Sequence, residues 1–167
     1  MPDPHETLSI FAEVSVALAG FSGIAIAFGR RSEGTLNRLE SRRLFNLFTF
    51  SGFVLIVALL GMSLLHIDSV DEEFLWRIGS TLLVFLGTPW LIQDWRKVNR
   101  LSSEERIHVP GIVIYPFTVA AIIALMLQIA NATVIGTAWP FFIALVPLIT
   151  FAFQQFVLLV WTRLRDV

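Results

Sequence analysis

Residues 44–67 read LFNLFTFSGFVLIVALLGMSLLHI, 24 positions without Asp, Glu, Lys or Arg. About 20 apolar residues, rising about 1.5 Å each, cross the hydrocarbon core of a bilayer. Lipid supplies no hydrogen-bond partner, so only helices and closed barrels satisfy the backbone there. The run is continuous and lacks the in–out alternation of barrel strands, so it reads as a transmembrane helix.

Outward from it, residues 8–28, 74–93, 112–131 and 137–162 have the same character. The sequence therefore predicts an all-α, polytopic integral membrane bundle of five transmembrane helices, one transmembrane domain over residues 1–167. Basic residues sort the links between them. Arg30, Arg31, Arg38, Arg42 and Arg43 follow the first span; Arg96, Lys97, Arg100 and Arg106 follow the third; Arg163 and Arg165 follow the fifth. Lys and Arg collect on the cytoplasmic side. The N-terminus is thus expected outside and the C-terminus in the cytoplasm. Arg77 falls on the outer side, near a helix end where it can snorkel. Asp3, Glu6, Asp68, Asp71, Glu72 and Glu73 share that side. Trp76 and Trp139 fit as outer interfacial anchors, and Trp95, Trp161 and Tyr115 as inner ones, with Trp90 deeper.

Composition narrows the function. A chain that is 56% hydrophobic with net charge −1 lacks the basic face that nucleic acid requires. With no Cys there is no disulfide framework, thiol nucleophile or thiolate metal site. The opening Met1-Pro2-Asp3-Pro4-His5-Glu6 has no positive charge, so the first span reads as a retained helix rather than a signal peptide. The compact, Arg-rich form suits a bacterial inner membrane. Ser32 to Arg43 is expected to extend the second span below the membrane, with Leu36, Leu39 and Arg43 on one face. Ser102 to Glu105 has the spacing of a capping box, which predicts a short surface helix before Pro110-Gly111.

The first span is the most informative for function. Ser15, Ala19, Gly23 and Ala27 recur every four residues, and small side chains let helices approach closely in lipid. Glu13 lies on this helix inside the outer boundary, where a carboxylate is costly and marks a functional candidate. Glu6, Ala17, Gly20 and Ile24 share nearly the same face. Around a symmetry axis that stripe would make an acidic vestibule, a carboxylate ring and a narrow throat, and such rings select cations. The alternative is local pairing of Glu13 with Gln128 or Asn131. Gln154 and Gln155 are polar groups within the fifth span, where hydrogen bonding between helices is expected. Pro89, Pro116 and Pro147 interrupt spans and can bend them.

Two fragments resemble known families. Ala17-Leu18-Ala19-Gly20-Phe21 resembles the pore helix of the Orai calcium channels, which also joins small residues, a Gly-Phe step and an outer-mouth glutamate. That family enters its pore helix from the cytoplasm and has a different number of spans, so no kinship follows. Gly20-Phe21-Ser22-Gly23 resembles the Gly-x-Ser-Gly of rhomboid proteases, which implies Ser22 as nucleophile. A histidine base must then lie within hydrogen-bond reach. No span contains one, and Ser22 sits roughly 20 Å below the outer end where His66 lies. Ser22 reads as a packing residue.

His5, His66 and the neighbouring acids read as a solvated outer cluster without metal-ligand spacing. No enzymatic motif, cofactor site or metal site emerges. The expected function is a small homo-oligomeric channel, cation-leaning, with the first helix near the axis. A non-catalytic subunit packed against other membrane subunits is the alternative, and an ion- or proton-coupled transporter is a third. The bilayer and further copies of the chain are the expected partners.

Overall fold

The structure, a computed structural model, describes residues 3–33, 38–67, 69–99 and 111–165. The expected helix around Ser102 lies outside them. Every regular element described is helical: α1 (Pro4–Glu33), α2 (Arg38–Leu65), α3 (Glu72–Asn99), α4 (Gly111–Ala130), a π-helical turn (Asn131–Ile135) and α5 (Ala138–Arg165). Five helices are long and apolar enough to cross a membrane. The protein is an integral membrane protein of helical class.

Local chemistry sets the helix ends. Asp3 caps α1: its Oδ1 accepts the His5 N–H at 3.0 Å, and Pro4 occupies the first helical position, where the missing N–H costs nothing. α1 therefore starts at Pro4, ahead of the apolar run. Asp71 caps α3 in the same way, with its carboxylate 3.4 Å from the Glu73 N–H. Glu72 and Glu73 then place negative charge in the first turn, which the helix dipole favours. α2 begins at Arg38, so the second span extends into the preceding link from there; Ser32 belongs to α1 instead, and Leu36 lies outside the described residues.

The chain divides into two compact units. The first joins α1, α2 and α5 from Leu148 onward. α1 buries Leu8, Ala12, Ser15, Leu18 and Ser22; α2 buries Leu47, Phe50, Ser51, Val54, Ala58 and Gly61. The α1 series, and Leu47, Ser51, Val54, Ala58 and Gly61 of α2, run at three- and four-residue spacing, the seam of paired helices. Serines can sit on that seam because each hydroxyl bonds within its own helix: Ser15 to Phe11 O, Ser22 to Ala19 O and Ser51 to Leu47 O. Leu18, Phe50 and Ala152 form a buried cluster flanked by Phe151, whose ring centre lies 4.8 Å from that of Phe50.

Gly61 marks the closest approach. A Cβ there would lie 2.8 Å from Leu8 Cδ1, so the fully buried Leu8 side chain must shift among packed neighbours. Gly61→Ala is expected to destabilise the protein by about 1–2 kcal/mol through overpacking. Titration with a denaturing detergent checks this, and an unchanged midpoint would refute the contact.

The second unit joins α3, α4, the π turn and α5 up to Pro147. Trp76 is buried here, 3% exposed, with its ring 5.6 Å from Phe141 and 5.5 Å from Phe142. It is a packing residue and not the outer anchor that its position in the chain suggests. Two adjacent Phe side chains on the first turns of α5 supply an aromatic pocket that outcompetes the interface. Gly79 permits this, since a Cβ there would meet Phe141 Cε2 at 2.9 Å.

Candidate functional site

α1 has two faces of different chemistry. Leu8, Ala12, Ser15, Leu18 and Ser22 face inward. Glu6, Glu13, Ala17, Gly20 and Ile24 are all exposed. At 3.6 residues per turn these five fall within an arc of about 60°, nearly opposite the packed side. Exposed Ile10 and Phe21 border the stripe on one edge and exposed Val16 on the other. Nothing lies within 4 Å of where a Cβ on Gly20 or Gly23 would stand.

The four-residue series divides between these faces: Ser15 is buried, Ala19 half-buried and Gly23 exposed. A strict four-residue step advances about 40° beyond a full turn, so such a series drifts off any single face. The Ala27 side chain lies outside the described ones.

Glu13 accepts a hydrogen bond from Ser9 Oγ at 3.3 Å, one turn earlier on its own helix. The two amides expected as alternative partners are engaged elsewhere. Gln128 Nε2 donates to Pro140 O at 2.6 Å. Asn131 Nδ2 donates to Ser80 Oγ at 2.7 Å and to Thr137 O at 3.0 Å, while its Oδ1 accepts the Thr137 N–H at 3.0 Å. Gln128 and Asn131 are both essentially fully buried, and Gln128 Oε1 is left without a donor. In the first unit Gln155 is buried and Gln154 half-buried.

The π turn is the least regular part of the second unit. Asn131 opens it and Gly136, at φ 66°, closes it by donating its N–H to Asn131 O. Arg77 holds the turn from α3. Its Nη1 donates to Thr133 O at 2.9 Å and Ala132 O at 3.4 Å, and its Nη2 to Val134 O at 3.4 Å. Glu73 steadies the guanidinium through an ion pair of 2.7 Å. Arg77 therefore caps carbonyls that the π turn leaves open, a role beyond the snorkelling expected of it.

Two features had no clear signal in the sequence. Glu40 is buried at 3% exposure, and Arg43, three residues on, donates to Leu158 O at 3.1 Å, tying α2 to α5 within the first unit. Both sit in the link expected to extend the second span below the membrane, where the sequence marks neither residue as buried or as tied to another helix. At the other end of that unit the rings of His5 and His66 meet, with centres 5.0 Å apart and planes at 74°. Among the described residues no group of three or more His, Cys, Asp or Glu side chains converges as a metal cage. No known family matches this chain, and no curated protein or solved structure is significantly similar to it.

Proposed function

We propose that this protein is a subunit of a homo-oligomeric, cation-conducting membrane channel, with α1 beside the pore axis and the N-terminus outside. One observation carries this reading: Glu13 is exposed on the side of α1 turned away from its packing partner, in line with Glu6, Ala17, Gly20 and Ile24. A carboxylate facing lipid near a helix centre costs about 2.5–3.5 kcal/mol or more. A water-filled axis removes that cost, and copies of Glu13 around it favour cations. Ala17 and Gly20 present no bulk on the same line, so symmetry-related helices can approach there. The excess of Arg in the links after the first and third spans supports the orientation.

The test pairs mass with conductance. Four or more copies in mild detergent, together with cation-selective currents in bilayers, are the expected results. Glu13→Gln is expected to lower the cation-over-anion permeability ratio severalfold, with the helical signal and oligomer mass unchanged, because the side chain is exposed. Selectivity equal to that of the unaltered protein would remove Glu13 from the filter. A monomer or dimer without conductance would instead favour an accessory subunit that docks this face on another membrane protein.

A further inference from the structure

The two histidine rings at the end of the first unit are drawn together from distant parts of the chain. His5 stands in the first turn of α1, and His66 directly follows α2. His66 Nδ1 lies 2.8 Å from Met62 O. A carbonyl only accepts, so Nδ1 donates, and in the neutral ring Nε2 keeps its lone pair. This is the arrangement by which metal-binding histidines are held: one nitrogen donates to a backbone carbonyl, which fixes ring and tautomer and leaves the other nitrogen free to ligate. Among the described residues the His5 ring has no hydrogen bond, so it is free to present a lone pair of its own. His66 is exposed and His5 half-buried, so solvent reaches the pair.

The spacing also suits a metal. With metal–nitrogen bonds of about 2.1 Å and a tetrahedral angle, two ligating imidazoles have centres about 5 Å apart. The observed 5.0 Å between ring centres is close to that separation. We propose that His5 and His66 form an outer site for a borderline-soft divalent cation of the zinc or nickel class, which clamps the start of α1 to the end of α2. Imidazole selects these ions over magnesium and calcium. Since no cage of three or more protein ligands converges among the described residues, water completes the shell and the ion exchanges readily. The Asp3 carboxylate is occupied as the α1 cap. His5 adjoins Glu6 of the α1 stripe, but neither histidine belongs to that stripe and the metal site does not depend on channel activity.

The test uses the full chain without an affinity tag, in mild detergent, titrated calorimetrically with Zn²⁺ and separately with Mg²⁺. One Zn²⁺ per chain is expected. H5N and H66N are each expected to weaken binding at least about tenfold, and H108N to leave it unchanged. A second measurement needs no variant: Zn²⁺ should protect His5 and His66 together from carbethoxylation, read by mass spectrometry. Absence of Zn²⁺ binding, binding that survives either substitution, protection of only one ring, or an equal response to Mg²⁺ would each overturn the proposal.

Discussion

Asn131→Leu is expected to destabilise the protein by about 3 kcal/mol, the largest effect among single polar substitutions described here. The side chain is fully buried and makes three hydrogen bonds, to Ser80 Oγ, Thr137 O and the Thr137 N–H. Leucine has the same branched arrangement of heavy atoms and is somewhat bulkier, so no cavity is left and the cost arises chiefly from stranded polar groups. The Thr137 carbonyl retains a partner, because a helix-capping residue already receives the first bond of its helix. The Thr137 N–H retains none: it precedes α5 and belongs to no ladder. Thr137 is itself exposed and this bond is part-buried, so water tempers the loss there; each of the three lost hydrogen bonds contributes roughly 0.6–1.7 kcal/mol, which together give the expected total. Ser80→Ala removes only one of the three bonds and is expected to cost about 1 kcal/mol or less. Because the two residues touch, the double variant should lose less than the sum of the singles. Denaturing-detergent titration of the four proteins checks this, and strict additivity would show that the Asn131–Ser80 bond contributes nothing.

Gly136→Val is expected to cost about 3 kcal/mol through two separate causes. At φ 66° the backbone is left-handed, where a residue with a Cβ is strained by about 1–2 kcal/mol and a β-branched one by more. The new Cβ would also stand 2.6 Å from Glu73 Cγ and 2.9 Å from Arg77 Nε. Both side chains must move, and Arg77 then releases the carbonyls of Ala132, Thr133 and Val134. Hydrogen bonds from a charged donor contribute about 1.5–3 kcal/mol each when well formed, so partial loss accounts for the remainder. Gly136→Ala should show the strain with a smaller clash and fall between the two. Equal stability of all three proteins by the same titration would mean that the left-handed turn is not retained in the membrane.

The helical class and the five apolar helices could be read from residues 44–67 and their four counterparts. The acidic, small-residue stripe of α1 was legible for a related reason: helical periodicity places Glu6, Glu13, Ala17, Gly20 and Ile24 together whatever surrounds the helix. Which side of α1 packs was not legible. Ala12, Ser15, Ala17, Ala19, Gly20, Ser22 and Gly23 spread small residues almost around the helix. Lipid, unlike water, does not sort faces by polarity.

The sequence by itself determined that this chain crosses a membrane as helices, because a bilayer rejects any other way of satisfying a backbone through such long apolar runs. It also determined the line of residues on which Glu13 lies, because that follows from helix geometry alone. Only the tertiary structure decided that this line is the unpacked one, since α2 supplies its seam of Leu47, Ser51, Val54, Ala58 and Gly61 to the other side. It alone decided that His5 meets His66, that Asn131 joins Ser80 and Thr137, and that Arg77 caps the π turn. Those pairings depend on close approach between separate helices, at distances that no local spacing in the chain encodes.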